Sequence, residues 1–166
     1  MVPADEVLNP SFDEFFAAEY RRVVGLAVAL CGRRATAEEL AQDAFVKAYQ
    51  RWAVVSTYDD PGAWVRRVVA NLATSSLRRR FREARALGRL ATRRPAPVEL
   101  VLEDGAFWAA VRRLPRRQAQ CIALHYLEDR STAEVAAVLG ISEATVRVHL
   151  HRARIELATT LGEEAP

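Results

Sequence analysis

At 166 residues, 51% hydrophobic and 27% charged, the chain has the size of one ordinary domain or two small ones and a globular composition, which excludes wholesale disorder. No run of eighteen apolar residues occurs, and the opening Met1-Val-Pro-Ala-Asp-Glu-Val7 lacks the basic-then-apolar order of a signal peptide; no membrane insertion and a cytoplasmic location are expected. The net charge of +3 hides a segregation: residues 1–77 and 95–166 each carry 8 basic and 10 acidic side chains, whereas residues 78–94 hold eight arginines against Glu83 alone. Two mildly acidic parts thus flank a connector of charge +7, a polyanion attractor or a solvated tether.

Helical spacing recurs throughout and no period-two alternation is sustained, so the fold class is expected to be all-α, with two small helical domains joined by a basic linker. Phe12, Phe15, Phe16, Tyr20, Val23, Val24, Ala27 and Leu30 recur at three- and four-residue steps as the stripe of a first core helix, which Gly32 ends. Thr36 with Glu39 reads as the start of a second helix burying Leu40, Ala41, Ala44, Phe45, Ala48, Tyr49 and Trp52, with Glu38, Glu39, Gln42, Asp43 and Lys47 outside. Residues 54–60 read as a loop, after which Asp60-Pro61 caps and starts a third helix. That helix is expected to bury Trp64, Val65, Val68 and Leu72, leaving Arg67, Asn71, Thr74 and Arg78 as a polar stripe.

Pro95-Ala-Pro97 breaks any helix, so a linker is expected over 81–104 between a first domain at 12–80 and a second at 105–162. Phe107, Trp108, Val111 and Leu114 mark a short helix, and Pro115 starts another that contains Cys121, Ile122, Leu124, His125 and Leu127. Each domain has so few residues that it should be marginal alone. Cys31 and Cys121 sit in apolar helical patterns and read as buried reduced thiols; Cys121 with His125 lacks the further ligands a metal needs, so no metal and no cofactor are expected.

The segment Ser131–Arg154 reads as a helix-turn-helix. Ser131 and Glu134 form a capping box, Gly140 ends the first helix, and Ser142 caps the second. Val135, Leu139, Ile141, Val146 and Leu150 belong between two crossed helices, with Ala136 small enough for close approach. Thr145, Arg147, Val148, His151 and Arg152 then face outward, a mixture of donors and small apolar groups suited to base edges and phosphates in a major groove.

Leu114–Asp129 with the helix-turn-helix after it resembles region 4 of bacterial RNA polymerase sigma factors. Ala37–Trp52 is similar to the polymerase-clamp-binding helix of region 2, and Pro61–Arg78 to its promoter-melting helix. Nothing between the lobes resembles region 3, so the chain resembles a two-domain sigma factor of the extracytoplasmic-function (ECF) type. The resemblance implies that Glu39, Gln42 and Asp43 meet the polymerase β′ clamp and that the second domain meets the β flap. It implies also that Arg67, Asn71, Thr74 and Arg78, with residues 54–60, hold the single-stranded minus-10 element, and that Thr145, Arg147, Val148, His151 and Arg152 read the duplex minus-35 element. Core RNA polymerase and promoter DNA are then the partners, with an anti-sigma factor as a further one. The chain departs from the family at Ser75, where an acidic residue is common after Asn-Leu-Ala, and in the high charge of its linker.

Two rival functions are weighed. An autonomous helix-turn-helix regulator would need a sensing pocket in its amino-terminal lobe, which this helical pattern does not offer. An enzyme would need a catalytic set, whereas Asp59/Asp60, Glu103/Asp104 and Glu128/Asp129 sit at turn or linker positions where caps are the ordinary explanation, so no catalysis is expected.

Overall fold

The computed structural model describes residues 11–88 and 105–162, where all the regular structure is helical. Helix α1, Phe12–Cys31, starts on a capping box: Ser11 Oγ accepts from the Glu14 amide, and the Glu14 carboxylate accepts from the Ser11 amide. It stops at Gly32, whose φ of 77° is the left-handed conformation an L side chain resists. Helix α2 is Arg34–Gln50, α3 is the single turn Trp52–Val55, and α4 is the long Pro61–Gly88. In the second lobe, α5 is Gly105–Val111 and α6 is Arg116–Ile122, which runs on through a π-helical turn, Ala123–Leu127. Helices α7, Thr132–Leu139, and α8, Glu143–Leu161, form the helix-turn-helix.

Three boundaries differ from the sequence reading. Helix α2 begins at Arg34 with no side-chain cap, so Thr36 lies inside it; the extended backbone at Arg33 leaves room for a helix immediately after the Gly32 turn. Part of the expected loop 54–60 is helical, because Val55 is buried and draws α3 onto the core. Helix α4 continues to Gly88, into the expected linker: Arg79 and Glu83 pair one turn apart, and nothing before Gly88 breaks the pattern. Residues 89–104, with Pro95 and Pro97, and the tail 163–166 lie outside the described residues.

The first lobe packs α1, α2 and α4 together, and an aromatic cluster closes one end: Phe15 and Trp52 have ring centroids 4.9 Å apart, as do Phe16 and Phe45. The larger departure is that the lobes are not separate. One hydrophobic cluster runs from Phe15 and Phe45 through Leu30 and Val69 to Trp108, Leu124 and Leu157. The carboxyl-terminal half of α1 is buried all round, including Leu26, Val28, Ala29 and Cys31, because α2 and α4 cover one side while α5 and the π-helical turn cover the other. Two lobes that are each short of core thus share one.

Arginines seal this seam. Arg66 of α4, 2% exposed, lies between Glu19 of α1 at 2.7 Å and Glu128 of the second lobe at 2.5 Å. The Glu19 contact is off the hydrogen-bond direction and acts through charge, whereas Nε of Arg66 donates to Glu128. Burial works against the guanidinium's charge, but the two carboxylates outweigh it and raise the pKa. Glu128 also takes Arg130 at 3.0 Å, and Arg130 lies 3.6 Å from Asp60, so charge alternates from lobe to lobe along the seam.

Other arginines finish helices that have no basic residue in their own last turn. Arg112, from the second lobe, donates to the Ala29 carbonyl at 3.1 Å, and Arg80 donates to Cys31 at 2.9 Å, so both cap α1. Arg67 of α4 donates to the Leu139 carbonyl at the end of α7 at 3.2 Å. Each places positive charge at the negative end of a helix dipole. The φ of 65° at Gly140 favours glycine there, and an added Cβ would also displace the Arg67 guanidinium from its place at the end of α7.

Breaking the buried triad should be costly. Arg66→Ala leaves two carboxylates facing a cavity and is expected to lose about 3–5 kcal/mol in urea unfolding, whereas Arg66→Met combined with Glu19→Gln and Glu128→Gln should recover most of that loss.

Candidate nucleic-acid and polymerase-binding surfaces

The recognition face is built by local capping and then held by the second lobe's core. Ser142 Oγ accepts from the Thr145 amide at 3.1 Å, and Val146, Leu150, Ala153 and Leu157 of α8 are buried against α5, α6 and α7. That register turns Thr145, Arg147, Val148, His151 and Arg152 outward, and all five are exposed. They are not equally available. Arg147 is held by Glu143 at 2.8 Å one turn earlier, and the Thr145 hydroxyl is 2.8 Å from that of Ser142, whereas Val148 shows 45% of its surface. Beneath the face, Nδ1 of His149 is buried without a partner; burial foremost, then Arg152 and Arg117, hold its pKa below the usual value and keep the imidazole neutral.

On the far lobe, α2 buries Ala37, Ala41, Ala44, Phe45 and Ala48, which leaves Glu39, Gln42 and Asp43 exposed together within one turn. Val46 and Tyr49, the latter expected on the buried side, continue the same helix outward at 53% and 66% exposure, so the acidic patch adjoins apolar surface. Such a face can bind a basic protein surface through charge and then through desolvation of the rings.

The α4 stripe has a different environment. Its residues share one face, and the second lobe engages three of the four, although Arg67 and Arg78 remain exposed. Thr74 is buried; Gln120 of α6 donates its amide at 3.2 Å toward the Ala70 carbonyl, Asn71 Oδ1 and Thr74 Oγ1 alike, and Arg116 donates to Asn71 Oδ1 at 2.5 Å. Arg67 is engaged at the α7 terminus, and among the four only Arg78 is exposed with no hydrogen bond or ion pair to a described residue. The fully buried side is shifted slightly from the expected register: Val65, Val69 and Ala73 are buried, while Trp64 and Val68 are partly buried against the core and Leu72 is half-buried. These three line a groove of about 530 Å³ with Lys47, Arg51 and Asn71, so residues read as core form the apolar wall of a surface cleft.

Sequence reasoning missed Gln120 and Arg116, the two side chains that hold the stripe, because nothing within α6 signals a partner some fifty residues earlier. Both cysteines are free and buried; burial raises the pKa of each thiol, that of Cys121 to about 11, so both stay protonated near neutrality. No cluster of metal-ligating side chains occurs among the described residues, and no described helix is long and apolar enough to cross a membrane.

Known proteins share these parts in this order. Residues 15–83 match the family model of sigma-70 region 2, and residues 104–157 match that of sigma-70 region 4. The chain is 31% identical to the ECF RNA polymerase sigma factor SigE of Mycolicibacterium smegmatis over 97% of its own length and 65% of that protein's. To the RNA polymerase sigma-E factor of Streptomyces coelicolor it is 30% identical, over 94% of its length and 88% of the relative's. Against two other relatives, RfaY of Xanthomonas campestris and BldN of S. coelicolor, it spans 37% and 54% of their lengths. Among solved structures it is similar in fold to the sigma factor RpoE of Bartonella quintana, crystallised with the anti-sigma factor NepR, at a TM-score of 0.70 and 23% identity over 93% of this chain and 98% of that one. With two sigma-70 regions in sequence order and relatives at this identity matched over most of their own length, the chain belongs to the ECF sigma factors of the sigma-70 family.

Proposed function

We propose that the protein binds core RNA polymerase and directs promoter-specific initiation of transcription, acting by binding and not by catalysis. The observation that carries this reading is the pairing of an outward donor face on α8 with an exposed acidic face on α2, one in each sigma region. In this reading Glu39, Gln42 and Asp43 meet the β′ clamp, and the second lobe meets the β flap. Thr145, Arg147, Val148, His151 and Arg152 read the minus-35 duplex. Arg67, Asn71, Thr74 and Arg78 receive the unpaired minus-10 strand, the first three only after the second lobe has moved away. An anti-sigma factor is a further partner, in line with the structural neighbour RpoE, which was crystallised with the anti-sigma factor NepR.

Closure has a functional consequence. Asn71 and Thr74 cannot hold DNA while Gln120 and Arg116 hold them, so the free chain should bind promoters weakly. Polymerase sites set at a fixed separation would pull the lobes apart and turn two weak DNA contacts into one strong one through effective concentration.

Three outcomes test the reading. In gel shifts at one salt concentration, wild type should bind promoter DNA specifically only with core enzyme, and Asp43→Arg should lose capture roughly tenfold or more by setting like charge against a basic clamp surface. Tight specific binding by the free wild-type chain would instead favour an autonomous regulator. On the upstream element, Arg152→Ala should cost about 1–3 kcal/mol and relax preference at one base pair if the guanidinium reads a base, and an equal loss on all sequences would mark a phosphate contact. Glu128→Arg places positive charge between Arg66 and Arg130; its solution radius of gyration should rise, and free-chain binding to a single-stranded 20-mer should strengthen, if closure masks the stripe.

A further inference from the structure

The two ends of the interlobe seam differ in charge. At one end, arginines and carboxylates alternate through Glu19, Arg66, Glu128, Arg130 and Asp60. At the other, Arg78 of α4 and Arg112, Arg113 and Arg116 of the second lobe line a cleft of about 310 Å³ whose lining contains no carboxylate. The ion pairs among described residues use Arg34, Arg66, Arg79, Arg130 and Arg147, and none of these four. Leu77 and Phe81 form an apolar wall, with Phe81 48% exposed.

Closure is electrostatically opposed here. Arg112 and Arg116 both have lowered pKa values, first through burial and then through neighbouring guanidinium groups, Arg80 for the one and Arg117 and Arg78 for the other. Nε of Arg116 is shielded from solvent and donates to nothing, although a buried donor normally finds an acceptor. Arg78 and Arg113 are exposed forks with no partner among the described residues. Guanidinium forks suit phosphate oxygens in bidentate geometry, and a volume near the lower end of small-molecule sites beside an aromatic ring suits one flat heterocycle.

We propose that this cleft binds a nucleoside polyphosphate, its phosphates on Arg113, Arg116 and Arg78 and its base against Phe81 and Leu77. The walls come from both lobes, so the site is whole only in the closed arrangement. A ligand that binds the closed form and not the open one holds the seam shut by mass action, and lobe separation expels it. The occupant would act as a brake on promoter engagement. Only that consequence rests on the sigma-factor reading; the binding itself does not.

The test is calorimetric titration of the full chain with ADP, inorganic tripolyphosphate, adenosine and a single-stranded 15-mer DNA. ADP should bind saturably at one site and raise the melting temperature, and adenosine should not bind. Arg113→Glu and Arg116→Gln, with unchanged helical circular dichroism, should each weaken ADP roughly tenfold or more, as expected for one charge-assisted contact. Glu128→Arg should weaken ADP as its radius of gyration rises. No saturable ADP binding, or ADP affinity unaltered in Arg113→Glu, overturns the site. Tripolyphosphate binding as tightly as ADP overturns the base contact, and a 15-mer binding more tightly than ADP with the same arginine dependence makes the cleft a nucleic-acid groove instead. ADP affinity that persists in an expanded Glu128→Arg overturns the bridging of lobes. Polymerase capture is measured separately, so failure here leaves the sigma-factor reading standing, and the converse holds.

Discussion

A guanidinium at 2% exposure cannot be left without counter-charges, and Arg66 takes one from each side of the seam. Its desolvation is large and is offset only while Glu19 and Glu128 are both in place. That requirement ties α1, α4 and the segment after α6 into one arrangement. Hydrophobic burial is permissive about exact register, but a buried charge is not, so the triad selects which of many apolar contacts between the lobes is adopted. Arg67, Arg80 and Arg112 extend the same principle, because each must reach a particular carbonyl at the end of a helix.

The seam has a cost in exposed function. Helix α4 has two buried faces: Val65, Val69 and Ala73 face the first lobe, and Arg66, Ala70 and Thr74 face the second. Polar groups on the second face are satisfied by Gln120 and Arg116, so a nucleic-acid strand reaching them must replace those bonds and not merely displace water. The α8 and α2 faces are not bonded across the seam; on α8, Arg147 and Thr145 are engaged only by neighbours in the same helix end. Both point away from the seam and are exposed in the arrangement described, which makes them suited to first contact, with the α4 stripe engaged later.

The charge segregation along the chain acquires a spatial meaning. Arg78 and Arg80 belong to the basic run, and α4 carries them to the seam, where Arg80 closes α1 and Arg78 meets the arginines of the α5–α6 turn. The run is therefore more than a tether up to Gly88, since its first part is helical and its charges are used unequally, one as a helix cap and others left without counter-ions.

What the sequence by itself determined is what depends on neighbours in the chain. Ser131 with Glu134, Gly140 and Ser142 set the helix-turn-helix through bonds spanning three or four residues, and the outward set on α8 follows from helical period alone. The exposed Glu39, Gln42 and Asp43 follow in the same way from the alanine face of α2. Tertiary structure alone decided the rest. Thr74 is polar and lies on a polar stripe, yet it is buried because another lobe supplies a matching amide. Trp64 and Val68 are apolar and lie at core spacing, and they pack against the core on one side yet line a groove on the other, because α4 turns its small residues, Ala70 and Ala73, fully inward for close approach. Helical periodicity can divide a helix into faces, but which face is covered depends on partners fifty residues away, and no local interaction encodes that choice.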